Sequence, residues 1–158
     1  MAYNREMAVA YAHTWAFKRN PGYLDFSLMG GDCTNFISQC LLAGGQAMNY
    51  QKDIGWYYNS AGDRAPAWTG VQYLYNFLLR KKGVGPTAKE TGINELEIGD
   101  IVQLSFNGYS FSHSLLVVKI DRPVTLDRIL IATHTDDSDY RPLSTYYAMK
   151  EFRCLKIL

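Results

Sequence analysis

Apolar residues early in the chain recur with helical spacing. Met7, Ala8, Tyr11, Ala12 and Trp15 form one stripe, which predicts a helix over residues 3–19, ended by the breakers Asn20-Pro21-Gly22. His13 on this helix reads as a surface or packing histidine. After an irregular stretch over 23–32, Cys33, Phe36, Ile37, Cys40 and Leu41 take the spacing of a second amphipathic helix. Asp32 stands where an N-cap would accept from backbone N–H groups one turn inside, and Gly44-Gly45 closes the helix. Residues 46–68 read as a long loop carrying Tyr50, Trp56, Tyr57, Tyr58 and Trp68. A third helix is predicted over 70–82, capped by Thr69, with Val71, Leu74, Phe77 and Leu78 facing inward. After a connector over 83–92 the pattern changes. Segments 101–106, 113–120 and 128–134 are short, rich in Val, Ile and Leu, and bounded by turn residues, as strands are, and 153–158 reads as a last short strand. Helices come first and strands follow, which predicts an α+β domain with an antiparallel sheet.

Composition narrows the classes. A chain of 158 residues is one domain, 1–158. Sixteen basic against 15 acidic residues leave a net charge of +1 and no basic excess, so no nucleic-acid or anionic-membrane partner is expected. No stretch reaches the ~20 apolar residues that span a bilayer. The N-terminus lacks an apolar signal region, so the expectation is a cytoplasmic protein or a domain of a longer exported one. Three cysteines, none in Cys-x-x-Cys spacing, and three histidines give no zinc pattern, so neither metal nor cofactor is expected. Cys33 and Cys40, about 10 Å apart on a helix, cannot form a disulfide, so free thiols are expected.

The sharpest chemical signal is Gly30-Gly31-Asp32-Cys33-Thr34-Asn35-Phe36. A cysteine in the first turn of a helix meets the positive end of the macrodipole, which favours the nucleophilic thiolate. The same N–H groups can hold an oxyanion. Asp32 opposes the thiolate by its charge, and a buried structural thiol is the bland alternative. Cys40, two turns in, and Cys154, in the last strand, read as core. A nucleophile needs a base, and His113 and His134 are the candidates. In an antiparallel pair of the strands that carry them, one register sets His134 opposite His113, with Cβ atoms ~5 Å apart, and another sets Asp136 there. Either supplies a base and a group to orient it. Asp136 and Asp137 are candidates to orient or cap near the site, against a solvated turn as the plainer reading of paired acids after a strand, and Arg141 reads as structural, paired with a carboxylate.

These residues resemble a family. The segment 30–39 (Gly-Gly-Asp-Cys-Thr-Asn-Phe-Ile-Ser-Gln) is similar to the start of the catalytic helix in NlpC-type cell-wall peptidases. The chain looks more closely like the bacterial putative amidase domain family of that papain-like superfamily. The match runs through residues 11–21, 30–39, Trp68-Thr69-Gly70, 96–104 (Leu-Glu-Ile-Gly-Asp-Ile-Val-Gln-Leu), Ser112-His113-Ser114 and 132–143. The resemblance implies a papain-like (NlpC-type) fold, with the cysteine at a helix N-terminus packed on an antiparallel sheet. It implies Cys33 as nucleophile, His113 as general base and a third polar residue on the following strand, a place His134 occupies. The family's Tyr-x-Trp-Gly-Gly stretch is replaced here by Tyr23-Leu24-Asp25-Phe26, so Tyr23 is carried over only as a candidate at the oxyanion site, beside the Cys33 N–H.

The expected function is a cysteine amidase or peptidase that cleaves an amide through a thioester, with peptidoglycan-type peptides as the implied substrate class. Trp56, Tyr57, Tyr58 and Trp68 are candidate cleft walls, against core packing as the alternative. The same residues would serve acyl transfer to an amine or alcohol. A non-catalytic binding module on the same fold is the reading from another class.

Overall fold

A computed structural model describes residues 2–158. Four helices, α1 (Arg5–Trp15), α2 (Cys33–Ala43), α3 (Pro66–Thr69) and α4 (Val71–Leu78), precede most of the sheet. The small hairpin β1 (Tyr58–Ser60) and β2 (Asp63–Arg64) lies among them. The strands β3 (Ala88–Thr91), β4 (Ile101–Ser105), β5 (His113–Ile120), β6 (Ile129–Thr133), β7 (Ser138–Pro142) and β8 (Glu151–Ile157) form one sheet in the order β3-β8-β4-β5-β6-β7. Every pairing is antiparallel. The α+β class and the antiparallel sheet are therefore as expected.

The sheet has two covered faces. On one, Ile101, Leu116, Val118, Ala132 and Leu155 pack against Ala12, Phe36, Ile37, Leu41 and Leu74 of the helices. On the other, Val102, Leu104, Leu115, Val117, Ile129, Ile131 and Cys154 pack with Leu96, Leu143 and Tyr146 of the connecting segments. Strands covered on both faces need no apolar alternation, which explains the continuous apolar runs of β4, β5 and β6.

Several sequence expectations change in detail. Helix α1 is shorter than 3–19, starting at an N-cap by Asn4, whose side chain accepts from the Met7 N–H. Its buried face is Ala8, Val9 and Ala12, and Met7 turns to solvent. The 46–68 segment is not a plain loop: it holds an Asn49–Trp56 bridge, the β1–β2 hairpin and α3. Thr69 does not cap α4, because it belongs to α3; Gly70 occupies that position. Strands β3 and β7 were not expected. Both are edges of the sheet, and their polar sequences (Lys89, Glu90; Asp139, Arg141, Pro142) lack any apolar pattern.

Candidate active site

Helix α2 is buried along nearly its whole length, not along one stripe: every residue from Cys33 to Leu41 is enclosed. Its polar side chains are therefore obliged to find partners. Ser38 donates to the Trp68 carbonyl and accepts from the Trp56 indole N–H. Asn35 accepts from the Trp68 indole N–H and donates to Asp32. Tyr11 donates to Gln39. Trp56 and Trp68, two of the candidate cleft walls, thus lie fully buried against α2 as donors in the core. Tyr57 is half-buried and packs on Tyr50. Tyr23 packs against Trp68 and Tyr58, the remaining cleft candidate.

The first turn of α2 docks on the start of β5. The Ser114 N–H lies close enough to the Cys33 sulfur to favour its thiolate, and the Thr34 and Ser114 hydroxyls are 3.0 Å apart. This contact sits where the β5–β6 ladder opens. Backbone pairing runs as far as Leu116 opposite Ala132; beyond it the Thr133 hydroxyl donates to the Ser114 carbonyl at 2.8 Å. The pairs nearest the loop, Lys119–Leu130 and Ile120–Ile129, hold the expected register that would set Asp136 opposite His113, but a bulge between Val117 and Lys119 shifts it by one, and continued from there it would bring Thr135 opposite His113. Burial pushes the Cys33 thiol up; the Ser114 N–H and the Thr34 hydroxyl and N–H pull it down, and the Asp32 charge adds to the rise. The activated thiolate expected from the helix terminus is thus outweighed by desolvation.

Asp32 does not cap α2. Its carboxylate turns back to accept from the Phe26 N–H at 2.8 Å, from Asn35 and from His134. The first-turn N–H groups of α2 consequently keep no side-chain cap, which leaves them free to meet a negative oxygen. Gly31, at φ +108°, brings the chain into this turn past Thr135; a Cβ there would lie 3.5 Å from the Thr135 hydroxyl.

The two histidines part company across the sheet. His134 lies on the helix face, stacked on Phe36, with Nδ1 2.5 Å from Asp32 and Nε2 2.7 Å from the Trp15 carbonyl. A carbonyl only accepts, so Nε2 carries a hydrogen, and Nδ1 shares the other with the carboxylate. No ring nitrogen remains to orient His113 or to act as a base. His113 shares the opposite face with Leu115 and Val117. It is 6% exposed and opens onto a pocket of about 470 Å³ with Asp136, Arg141 and Tyr146. Its ring centroid is 5.9 Å from that of Tyr146. Its pKa is lowered to about 4, chiefly by burial and also by the Arg141 charge, with Asp136 opposing. Burial also raises the Tyr146 hydroxyl to about 12, against Arg141 and with Asp136 and Cys33, so the thiol and this pocket are electrostatic neighbours.

Phe106, Tyr146 and Tyr147 supply the aromatic walls that Trp56 and Trp68 do not. The 143–149 segment carried no motif, and only its aromatic pair hinted at a role. Arg141 is not paired with a carboxylate as expected: it donates from Nε to the Thr145 hydroxyl and from Nη2 to the Thr145 carbonyl, and lies over the Tyr146 ring. Cys40 and Cys154 are buried, and all three thiols are free. Among the described residues no group of three His, Cys, Asp or Glu side chains is arranged to hold a metal ion, and no helix is long and apolar enough to cross a membrane.

Comparison with known proteins adds a relative and a family. An uncharacterized protein of Bacillus subtilis (strain 168), YhbB, is 35% identical over 123 residues, which are 76% of this chain and 38% of that protein. The chain thus matches well under half the length of this relative. No solved structure matches. The family model described as "Putative amidase domain" matches residues 2–157, nearly the whole chain, and its description points to amide hydrolysis. On that match the chain belongs to the putative amidase domain family.

Proposed function

We propose that the protein is a cysteine amidase or peptidase of papain-like (NlpC-type) design, in which Cys33 is the nucleophile and His113 the base. The observation that carries this reading is the seating of the first turn of α2 on Ser114, the residue next to His113, where the β5–β6 ladder opens: the Thr34 and Ser114 hydroxyls are 3.0 Å apart and the Ser114 N–H favours the Cys33 thiolate. Attack forms a bond from Cys33 sulfur to the amide carbonyl carbon while His113 takes the thiol proton. The uncapped N–H of Cys33 stabilises the oxyanion. The C–N bond then breaks, and His113 returns its proton to the leaving amine. Water, deprotonated by His113, cleaves the thioester to a carboxylic acid and restores the thiol.

With the thiol raised and the imidazole lowered, the resting pair is neutral thiol and neutral imidazole, and the ion pair forms only as the carbonyl is attacked. Asp136, in the same pocket, is the acidic group placed to stabilise the imidazolium that results. His134 is a positioning residue: through Asp32 it holds the turn that presents Cys33. Peptidoglycan-type peptides are the substrate class this reading takes first.

The test is turnover of a panel of peptide amides, including soluble peptidoglycan stem peptides, followed by mass spectrometry of the protein for an acyl adduct. Cleavage with an adduct on Cys33, lost in Cys33→Ala and in His113→Ala, is expected. Cleavage that survives Cys33→Ala would exclude the mechanism. A folded wild-type protein that cleaves nothing in the panel would favour the binding module. An added amine that diverts the product from acid to amide would identify acyl transfer.

A further inference from the structure

The pocket beside His113 contains a cation that forms no ion pair, although Asp136 lines the same pocket. Arg141 is the only Lys or Arg lining it, and among the described residues no carboxylate lies within ion-pair distance of its guanidinium. The side chain is nonetheless held in place. Nε and Nη2 are bonded to Thr145 at 2.7 and 3.2 Å, and the guanidinium carbon lies 3.7 Å from the Tyr146 ring centroid. Nη1 has no protein acceptor and is not sealed from solvent. An arginine ordered by stacking and two hydrogen bonds, with one nitrogen free at a pocket wall, is preorganised for a carboxylate.

We infer that Arg141 is the specificity-determining residue of this site and takes a carboxylate on the substrate, close in sequence to the amide that is cut. This rests on the amidase reading above. Tyr146 touches both His113 and Arg141. The reach from the reacting amide to the bound anion is therefore on the order of one to two extended residues, ~3.5 Å each. The substrate class is an acidic peptide or an amide of a short acid, with its carboxylate free. Aromatic walls from Phe106 and Tyr147 favour an apolar or flat portion beside it. The two charged groups facing His113 act in opposite senses, Arg141 against its protonation and Asp136 for it. A carboxylate on Arg141 cancels the unfavourable one, so the correct substrate also makes His113 a better base.

The experiment uses the full chain and a library of N-acetylated peptides of two to four residues, each made as the free C-terminal acid and as the carboxamide. Binding is followed in the Cys33→Ser protein by the NMR signals of the arginine side chains, and turnover in the wild type. At least one acid is expected to bind tenfold or more tighter than its carboxamide, with the Arg141 signals moving, and to lose that preference in Arg141→Gln. Arg141→Lys is expected to restore only part of it. In the unliganded protein, Arg141→Gln raises the His113 pKa seen by NMR, which a merely structural role would not do. Acids and carboxamides that bind and turn over alike, with no pair favouring the acid, would overturn the inference and leave the amidase reading standing. Acid-selective binding lost in Arg141→Gln, with no cleavage of any peptide, would support Arg141 as an anion site and count against the amidase reading instead.

Discussion

His134 and His113 are carried by neighbouring strands, yet they have opposite surroundings. His134 faces the helices, where both nitrogens are engaged and Asp32 supplies the counter-charge. His113 faces a pocket, with no hydrogen bond to its ring and an arginine among its neighbours. The first arrangement is structural. It ties the segment before Cys33, the start of α2 and the end of β6 to one carboxylate. The second is the condition a general base needs, a neutral ring with a free lone pair beside a space large enough for a substrate. What separates them is the pleat. Residues an odd number apart along a strand point to opposite faces, and the β5–β6 register at Leu116–Ala132, continued toward the site, sets 113 against 135, not 134.

That contrast can be broken in order of expected effect. Cys33→Ala or His113→Ala should lower any amide turnover by about 10³-fold or more while leaving thermal unfolding near the wild type. A loss of fold instead would move these residues to the structural side. Asp32→Ala or His134→Ala should do the reverse. Each strands a buried partner and costs about 3–5 kcal/mol of stability, read as a drop in Tm of roughly 10 °C. The double variant Asp32→Leu/His134→Phe should lose less than the two single losses combined; additivity would mean the pair is not coupled.

The pH dependence separates the histidines further. The His113 pKa is depressed to about 4 in the folded protein, from 6.5. The unfolded chain therefore takes up this proton first. Stability falls as pH drops from about 6.5 toward 4 and levels off below, by at most about 3 kcal/mol. Denaturant titrations of the wild type and His113→Gln should diverge in that window and nowhere above it. Alkylation of Cys33 by iodoacetamide should be slow at neutral pH and climb only above the ordinary thiol range, since burial raises its pKa. Fast alkylation at pH 7, lost in His113→Ala, would mean a preformed ion pair. The smallest effect expected is at the β6–β7 turn, where Thr135 (φ 69°) and Asp136 (φ 53°) both sit in the left-handed region. Asn tolerates that conformation and a β-branched residue does not, so Thr135→Asn should gain about 0.5 kcal/mol or more by thermal unfolding.

A second contrast explains what was legible. The inner strands β4, β5 and β6 are largely apolar because neighbours cover them, and their sequences announce it. The two edge strands have one free side each, and Asp139, Arg141 and Pro142 or Lys89 and Glu90 belong there because they discourage further pairing. The same residues read as loops when no neighbour is known. Helix α2 was misread in the other direction. Its bounds and its N-terminal cysteine follow from spacing, but Ser38 and Asn35 look solvent-facing until Trp56 and Trp68, distant in sequence, bond to them.

The sequence by itself determined the order of helices and strands, the limits of α2, and a cysteine at its start with two histidines further on, because these depend on local periodicity and on residue type. Tertiary structure alone decided which histidine faces the pocket, that Asp32 serves His134 and leaves α2 uncapped, that the tryptophans are core, and that Arg141 and Tyr146 border the site. Each of these depends on strand register and on contacts between distant segments, and a shift of one residue in that register would have put the two histidines on the same face.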